Sequence, residues 1–131
     1  MILDTNYLID LFSGKSRAHE KAEDLQRNQE IQRVPVPVLS ELEYGAEWVL
    51  DEHERRRIRN LSRMYSITRL DEEMAIRAGQ LLARADGSAG SETGPDMIDA
   101  LVASVAETVD ERVVTDNVTD FERLGVSVES F

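Results

Sequence analysis

The 131-residue sequence predicts an α/β fold with a central, mainly parallel sheet covered by helices on both faces. Two observations predict it. Short apolar runs alternate along the chain with stretches of helical periodicity. Twice, an apolar run stops at an acid and an asparagine: Leu3 gives way to Asp4-Thr5-Asn6, and Val114-Thr115 to Asp116-Asn117. Asp, Thr and Asn favour helix N-caps, because a short side-chain oxygen takes an unpaired first-turn N–H. The first run therefore reads as a buried strand with a helix leaving at once. Ligands of open α/β sheets sit beyond the carboxyl ends of the strands. Asp4 is placed there by its position alone.

Each element follows from local pattern. Residues 1–3 form the first strand, and Leu8, Leu11 and Phe12 give the next helix its apolar spacing. Ser13-Gly14-Lys15-Ser16 is a turn. Residues 18–27 form a polar helix, exposed along most of its surface. Val34, Val36 and Val38 are then separated by Pro35 and Pro37, which excludes a well-paired central strand there. A strand is expected to end near Val36, with Pro37 opening a helix, where its missing N–H costs nothing. That helix carries Val38, Leu39, Leu42, Ala46 and Val49, and sets Glu41 in its early turns.

Residues 52–64 form a charge-dense helix with Arg55, Arg56, Arg57, Arg59 and Arg63. These arginines either track a nucleic-acid backbone or pair with Glu52 and Glu54. A short strand at 65–70 precedes an amphipathic helix at 71–85, built on Met74, Ala78, Leu81, Leu82 and Ala85. The Gly- and Ser-rich segment 86–95 is a loop, suited to a flap beside a site. Pro95 opens a helix over 96–108 whose core face is Ile98, Leu101, Val102 and Val105, with Asp96 and Asp99 on one side of its first turns. A strand at 112–115, a brief helix at 118–124 and a final strand at 126–129 complete the chain.

The length suits a single domain, residues 1–131. No apolar run is long enough to span a bilayer, and Met1 leads into the first strand without the basic n-region of a signal peptide. The lack of cysteine excludes disulfides and thiolate metal sites, and fits a reducing cytoplasm. Net charge is −11, and Lys15 and Lys21 are the only lysines. This balance resembles the proteins of salt-in halophiles. Such a surface repels nucleic acid at low salt, a repulsion that fades when molar salt shortens the screening length to about 3 Å.

Three segments bring acids towards one place: Asp4 after the first strand, Glu41 after the second, and Asp116-Asn117 after the strand at 112–115. Asp99 arrives from a helix amino-terminus. Clustered carboxylates resist joint ionisation, and a hard divalent cation such as Mg²⁺ relieves the strain. His19 and His53 lie in polar helical stretches and read as solvated, so zinc is not expected. Taken singly, Asp4 is a helix cap, Glu41 an acid that complements a helix dipole, and Asp96 a cap beside Pro95. Asp10 and Glu43 read as surface acids, and Phe12, Tyr44 and Trp48 as core or partner-contact residues. Only the coincidence of acids turns caps into a site.

Ile2-Leu3-Asp4-Thr5-Asn6, Ser40-Glu41-Leu42-Glu43-Tyr44-Gly45-Ala46, Asp99-Ala100-Leu101-Val102-Ala103 and Val114-Thr115-Asp116-Asn117-Val118-Thr119-Asp120-Phe121 occur in one order and spacing. Together they resemble the PIN domain, specifically the VapC-type toxin ribonucleases of toxin–antitoxin pairs, over essentially the whole chain. The resemblance implies a three-layer α/β/α sandwich and an endoribonuclease dependent on Mg²⁺ or Mn²⁺. It carries over Asp4, Glu41 and Asp99 as catalytic and metal-binding acids. Many PIN domains have Asp at the fourth acidic position, where this chain has Asn117; Asp120, ahead of Asp116, then completes the set. Thr5, Asn6 and Thr115 are expected to orient the ligands by hydrogen bonds. The expected partners are an RNA substrate, a cognate antitoxin and a second copy in a homodimer. Two rivals stand beside this reading. An Asp-nucleophile phosphatase lacks its second Asp two residues after Asp4, and a degenerate PIN-like module would bind RNA or a partner without cutting.

Overall fold

The structure is a computed structural model that describes residues 1–88 and 93–131. Five strands form one sheet in the order β3-β2-β1-β4-β5, and every pairing is parallel. They are β1 (Ile2–Leu3), β2 (Arg33–Pro35), β3 (Ser66–Thr68), β4 (Val113–Val114) and β5 (Val128–Glu129). Parallel strands need long crossovers, and here helices supply them. The first crossover is α1 (Thr5–Phe12) and α2 (Ser16–Arg27), the second α3 (Val36–Val49) and α4 (Glu52–Met64). The third is α5 (Glu72–Ser88) and α6 (Met97–Val109), and the last is α7 (Val118–Arg123). Gly14, at φ 78°, makes the left-handed turn between α1 and α2.

The strands are short but buried. Ile2, Leu3, Val34, Val113 and Val114 have no exposed surface, as expected for a sheet covered on both faces. Residue Ile2 stands opposite both Arg33 of β2 and Val113 of β4, so β1 is the sheet's centre. The chain steps from β1 out to β3, then returns across to β4 and β5. Its direction therefore reverses between β1 and β4, which opens a crevice at their carboxyl ends. Asp4 and Thr115 are the residues immediately after those two strands. Helix α6 is buried along Ala100, Val102, Ala103, Val105 and Ala106, and packs along α5, where the Ser104 hydroxyl donates to the Met74 carbonyl at 2.7 Å.

Most elements shift from their expected bounds by a residue or a few, and three of the shifts bear on the fold. β2 ends at Pro35 and α3 begins at Val36, so Pro37 sits one residue inside the first turn, where its N–H has no helical partner to lose. Helix α5 continues through Asp86 and Gly87 to Ser88. The rest of the expected 86–95 loop is described only from Thr93 onwards; residues 89–92 lie outside the described residues. The final strand is only Val128–Glu129. Among the described residues, no helix is long and apolar enough to cross a membrane.

Candidate active site

Asp4 caps α1 and is only 4% exposed. Its Oδ1 accepts the Thr5 backbone N–H at 2.8 Å, and its Oδ2 accepts the Thr115 hydroxyl at 2.8 Å. Thr115 is itself fully buried. With its proton given to Asp4, Thr115 Oγ1 accepts from Asn6 Nδ2 and from the Asn117 backbone N–H, each at 3.0 Å. Asn6 Oδ1 lies 3.4 Å from the Asp116 amide nitrogen. Thr5, one residue into α1, donates its hydroxyl to Glu41 Oε1 at 2.6 Å, tying α1 to the second turn of α3. The expected orienting residues Thr5, Asn6 and Thr115 thus form a hydrogen-bonded frame around the ends of β1 and β4.

The electrostatics follow from burial. Desolvation pushes the Asp4 carboxyl up to about 6; the bonds from Thr115 and Thr5 pull it down, and the charges of Glu41 and Asp116 push it up again. Asp99 is pushed up to about 7, mainly by burial, with the charges of Asp96, Asp4 and Glu41 adding to it. The charge of Glu41 therefore reaches both Asp4 and Asp99, and that of Asp4 reaches Asp99. Their separation along the sequence is closed by the fold.

Asp99 has a second engagement. Its Oδ2 accepts the Asp96 N–H at 3.0 Å while Asp96 Oδ1 accepts the Asp99 N–H at 2.9 Å, a reciprocal cap on α6. Asp96 is a cap, in line with its sequence reading. Among the described residues, no three acids stand as a ready-made cage for an ion. Of the two acids expected near the fourth position, Asp116 acts on Asp4, whereas Asp120 is not among the groups that shift Asp4 or Asp99. Asn117 precedes α7 without capping it through its side chain. Arg123, not singled out in the sequence, reaches the Thr93 carbonyl at 3.5 Å and so ties α7 to the segment leading into α6. His19 and His53 are exposed, as expected.

A family model described as the PIN domain matches residues 1–126. The chain belongs to the PIN domain family. No curated protein matches it in sequence. Among solved structures, it is similar to VapBC from Salmonella typhimurium, bound to DNA, at 29% identity and a TM-score of 0.79, covering 98% of this chain and 96% of that one. It is also similar to VapBC2 from Rickettsia felis, bound to a DNA fragment from its promoter, at 21% identity and a TM-score of 0.79, covering 99% and 97%. A third is VapC20 of Mycobacterium tuberculosis, a toxin that cleaves the sarcin–ricin loop, at 18% identity and a TM-score of 0.72, covering 95% of each chain. The last two identities speak to the fold alone. The fold expected from sequence is the PIN fold found here: a five-stranded parallel sheet between helical layers.

Proposed function

We propose that this PIN domain is an endoribonuclease dependent on Mg²⁺ or Mn²⁺, and the toxin of a toxin–antitoxin pair. The family assignment supports a nuclease. The observation that carries the reading is the buried Asp4, bonded through both oxygens, with Glu41 held by Thr5 beside it and Asp99 within reach of the charges of both.

The donor set fits a hard cation. All the candidate donors are carboxylate oxygens, and Mg²⁺ is commonly held by only one or two carboxylates with waters and substrate phosphate completing the shell. Asp4 and Asp99 would hold the ion, with Glu41 beside them. When bound, such an ion supplies a water of lowered pKa and polarises a phosphoryl oxygen.

The chain's own groups do the rest. Thr115 and the Thr5 amide fix the orientation of Asp4, leaving its remaining lone pairs for a ligand. Thr5 holds Glu41 through Oε1, so that Glu41, or Asp99, positions the attacking water and takes its proton. In this reading Asp116 supplies the outer fourth acid, and Asp120 is the alternative. An antitoxin would cover the site, and a second copy would complete a homodimer.

The test is cleavage of total RNA by the purified chain in Mg²⁺, Mn²⁺ and EDTA, at low and molar KCl, with sequencing of the new ends. Metal-dependent products that vanish in Asp4→Asn support the reading. Activity that survives EDTA or that substitution sinks it. RNA bound without products under every condition leaves a degenerate binding module instead.

A further inference from the structure

Helix α4 carries five arginines, and the fold divides them in two. Arg55 turns towards α3, pairing with Glu47 and, less closely, with Glu43 and Glu52. Arg57 turns towards α1: its Nη1 donates to the Phe12 carbonyl at 2.8 Å and pairs with Glu54, while its guanidinium lies 5.7 Å from the centre of the Phe12 ring. These two arginines fasten α4 to the body of the protein, on the side where Leu61 is buried and Ile58 half-buried.

Arg56, Arg59 and Arg63 are different. Spacings of three and four residues align them on one stripe of the helix, facing away from Ile58 and Leu61. All three are exposed, and among the described residues none enters an ion pair. Both lysines, by contrast, are paired with acids, and the chain as a whole carries a net charge of −11. Like charges at these spacings also disfavour the helix by a few tenths of a kcal/mol per pair. The stripe is about 10 Å long at 1.5 Å per residue. Arg57 anchors α4 at the far end of α1, and Asp4 caps the near end, so the stripe's neighbour stands about 12 Å along α1 from Asp4.

We propose that Arg56, Arg59 and Arg63 form a ridge that grips the phosphate backbone of the RNA to be cut, outside the cleavage site. The ridge rests on the ribonuclease reading for its ligand. Guanidinium forks bind phosphate oxygens two at a time and remain charged at any working pH. The contact is with phosphates, so it contributes affinity without reading sequence.

The experiment measures binding of a fluorescein-labelled RNA oligonucleotide by anisotropy over about 0.1 to 1 M KCl, in the absence of divalent ions. The proteins are the wild type, the triple variant Arg56→Gln/Arg59→Gln/Arg63→Gln, the corresponding triple Arg→Lys variant, and a charge-matched control, Arg17→Gln/Arg27→Gln/Arg84→Gln. Circular dichroism at each salt verifies folding. At about 0.7 per phosphate, the slope of log K against log salt is expected to fall by about 2 in the ridge triple, with affinity at low salt falling about tenfold or more. The lysine variant keeps the slope, the control keeps wild-type binding, and hydrolysis of bis-p-nitrophenyl phosphate, too small to reach the ridge, is unchanged. An unchanged slope in the ridge triple overturns the proposal, as does an equal loss in the control. So does a wild type that binds no RNA, or a ridge triple that loses only self-association. Ridge-dependent binding without any cleavage would leave the ridge standing and remove the hydrolytic reading.

Discussion

The Thr115 hydroxyl gives its proton to Asp4 Oδ2 at 2.8 Å, across 111 positions of sequence. Neither residue is free to look elsewhere: Thr115 is fully buried and Asp4 nearly so. The same oxygen accepts from Asn6 and from the Asn117 amide, so one hydroxyl joins the ends of β1 and β4. Thr115→Val removes the donor to Asp4 and the acceptor of two other groups. It is expected to destabilise the protein by about 1–3 kcal/mol and to weaken Mn²⁺ binding roughly 10- to 100-fold. Thr115→Ser should retain both properties. Urea melts and calorimetric titration with Mn²⁺ read the two effects separately.

Asp4→Asn should remove activity yet stabilise the ion-free protein. The Asp4 carboxyl is pushed by burial from its ordinary 3.8 up to about 6 in the folded protein. Folding therefore favours its protonated form, so its contribution to stability is full below about pH 3.8 and is lost as pH rises through about 6. At pH 8 the buried charge costs up to about 3 kcal/mol, at about 1.4 kcal/mol per unit. In EDTA, Asn at this position is expected to raise stability at pH 8 by up to that amount and to add nothing below pH 4. Urea melts at the two pH values decide the matter; an Asn variant no more stable at pH 8 would remove the burial argument.

Ion binding should depend steeply on pH. Asp4 at about 6 and Asp99 at about 7 must both lose protons to serve as ligands. Affinity for Mn²⁺ is expected to drop on the order of 100-fold between pH 8 and pH 5.5, with protons released on binding near neutral pH. Titrations in buffers of different ionisation enthalpy count those protons directly.

Thr5 is expected to act through Glu41. Thr5→Val frees Glu41 Oε1 while leaving the backbone bond to Asp4 in place. RNA cleavage should slow roughly 10- to 100-fold, with thermal stability lowered by about 1 kcal/mol. Thr5→Ser should restore the rate. A rate loss with no recovery in Ser would assign Thr5 a role other than holding Glu41.

Added KCl should stabilise the fold. With 26 acids against 15 bases, self-repulsion opposes the compact state, and salt screens it. The thermal midpoint is expected to climb steadily up to molar KCl. A midpoint flat or falling from about 0.1 to 1 M would dismiss the halophilic reading of the composition.

Much of this was legible in the sequence because its signals are local. Caps, apolar spacing and strand-end acids depend on residues a few positions apart, so Asp4, Glu41 and Asp99 could be nominated with their elements. Strand order was not legible in this way, since nothing near Ile2 states that Val113 will stand opposite it. The edge of β2 was misplaced by a residue because Pro35 tolerates both the end of a strand and the residue before a helix. The division of the arginines was hidden for another reason. Arg57 turns inward only because the carbonyl of Phe12, 45 positions earlier, lies within reach. Asp99 is a candidate ligand by its place in the sequence, but its bond back to the Asp96 amide depends on a rotamer that spacing alone leaves open.

The central place of β1 bears on the order in which the site can be assembled during synthesis. A ribosome delivers Thr115 111 residues after Asp4, and β1 has no neighbour on one side until β4 emerges. Until then the nascent chain carries Asp4 without the strand whose following residue, Thr115, holds it. Whatever chemistry the site performs is withheld until that second neighbour of β1 has been made.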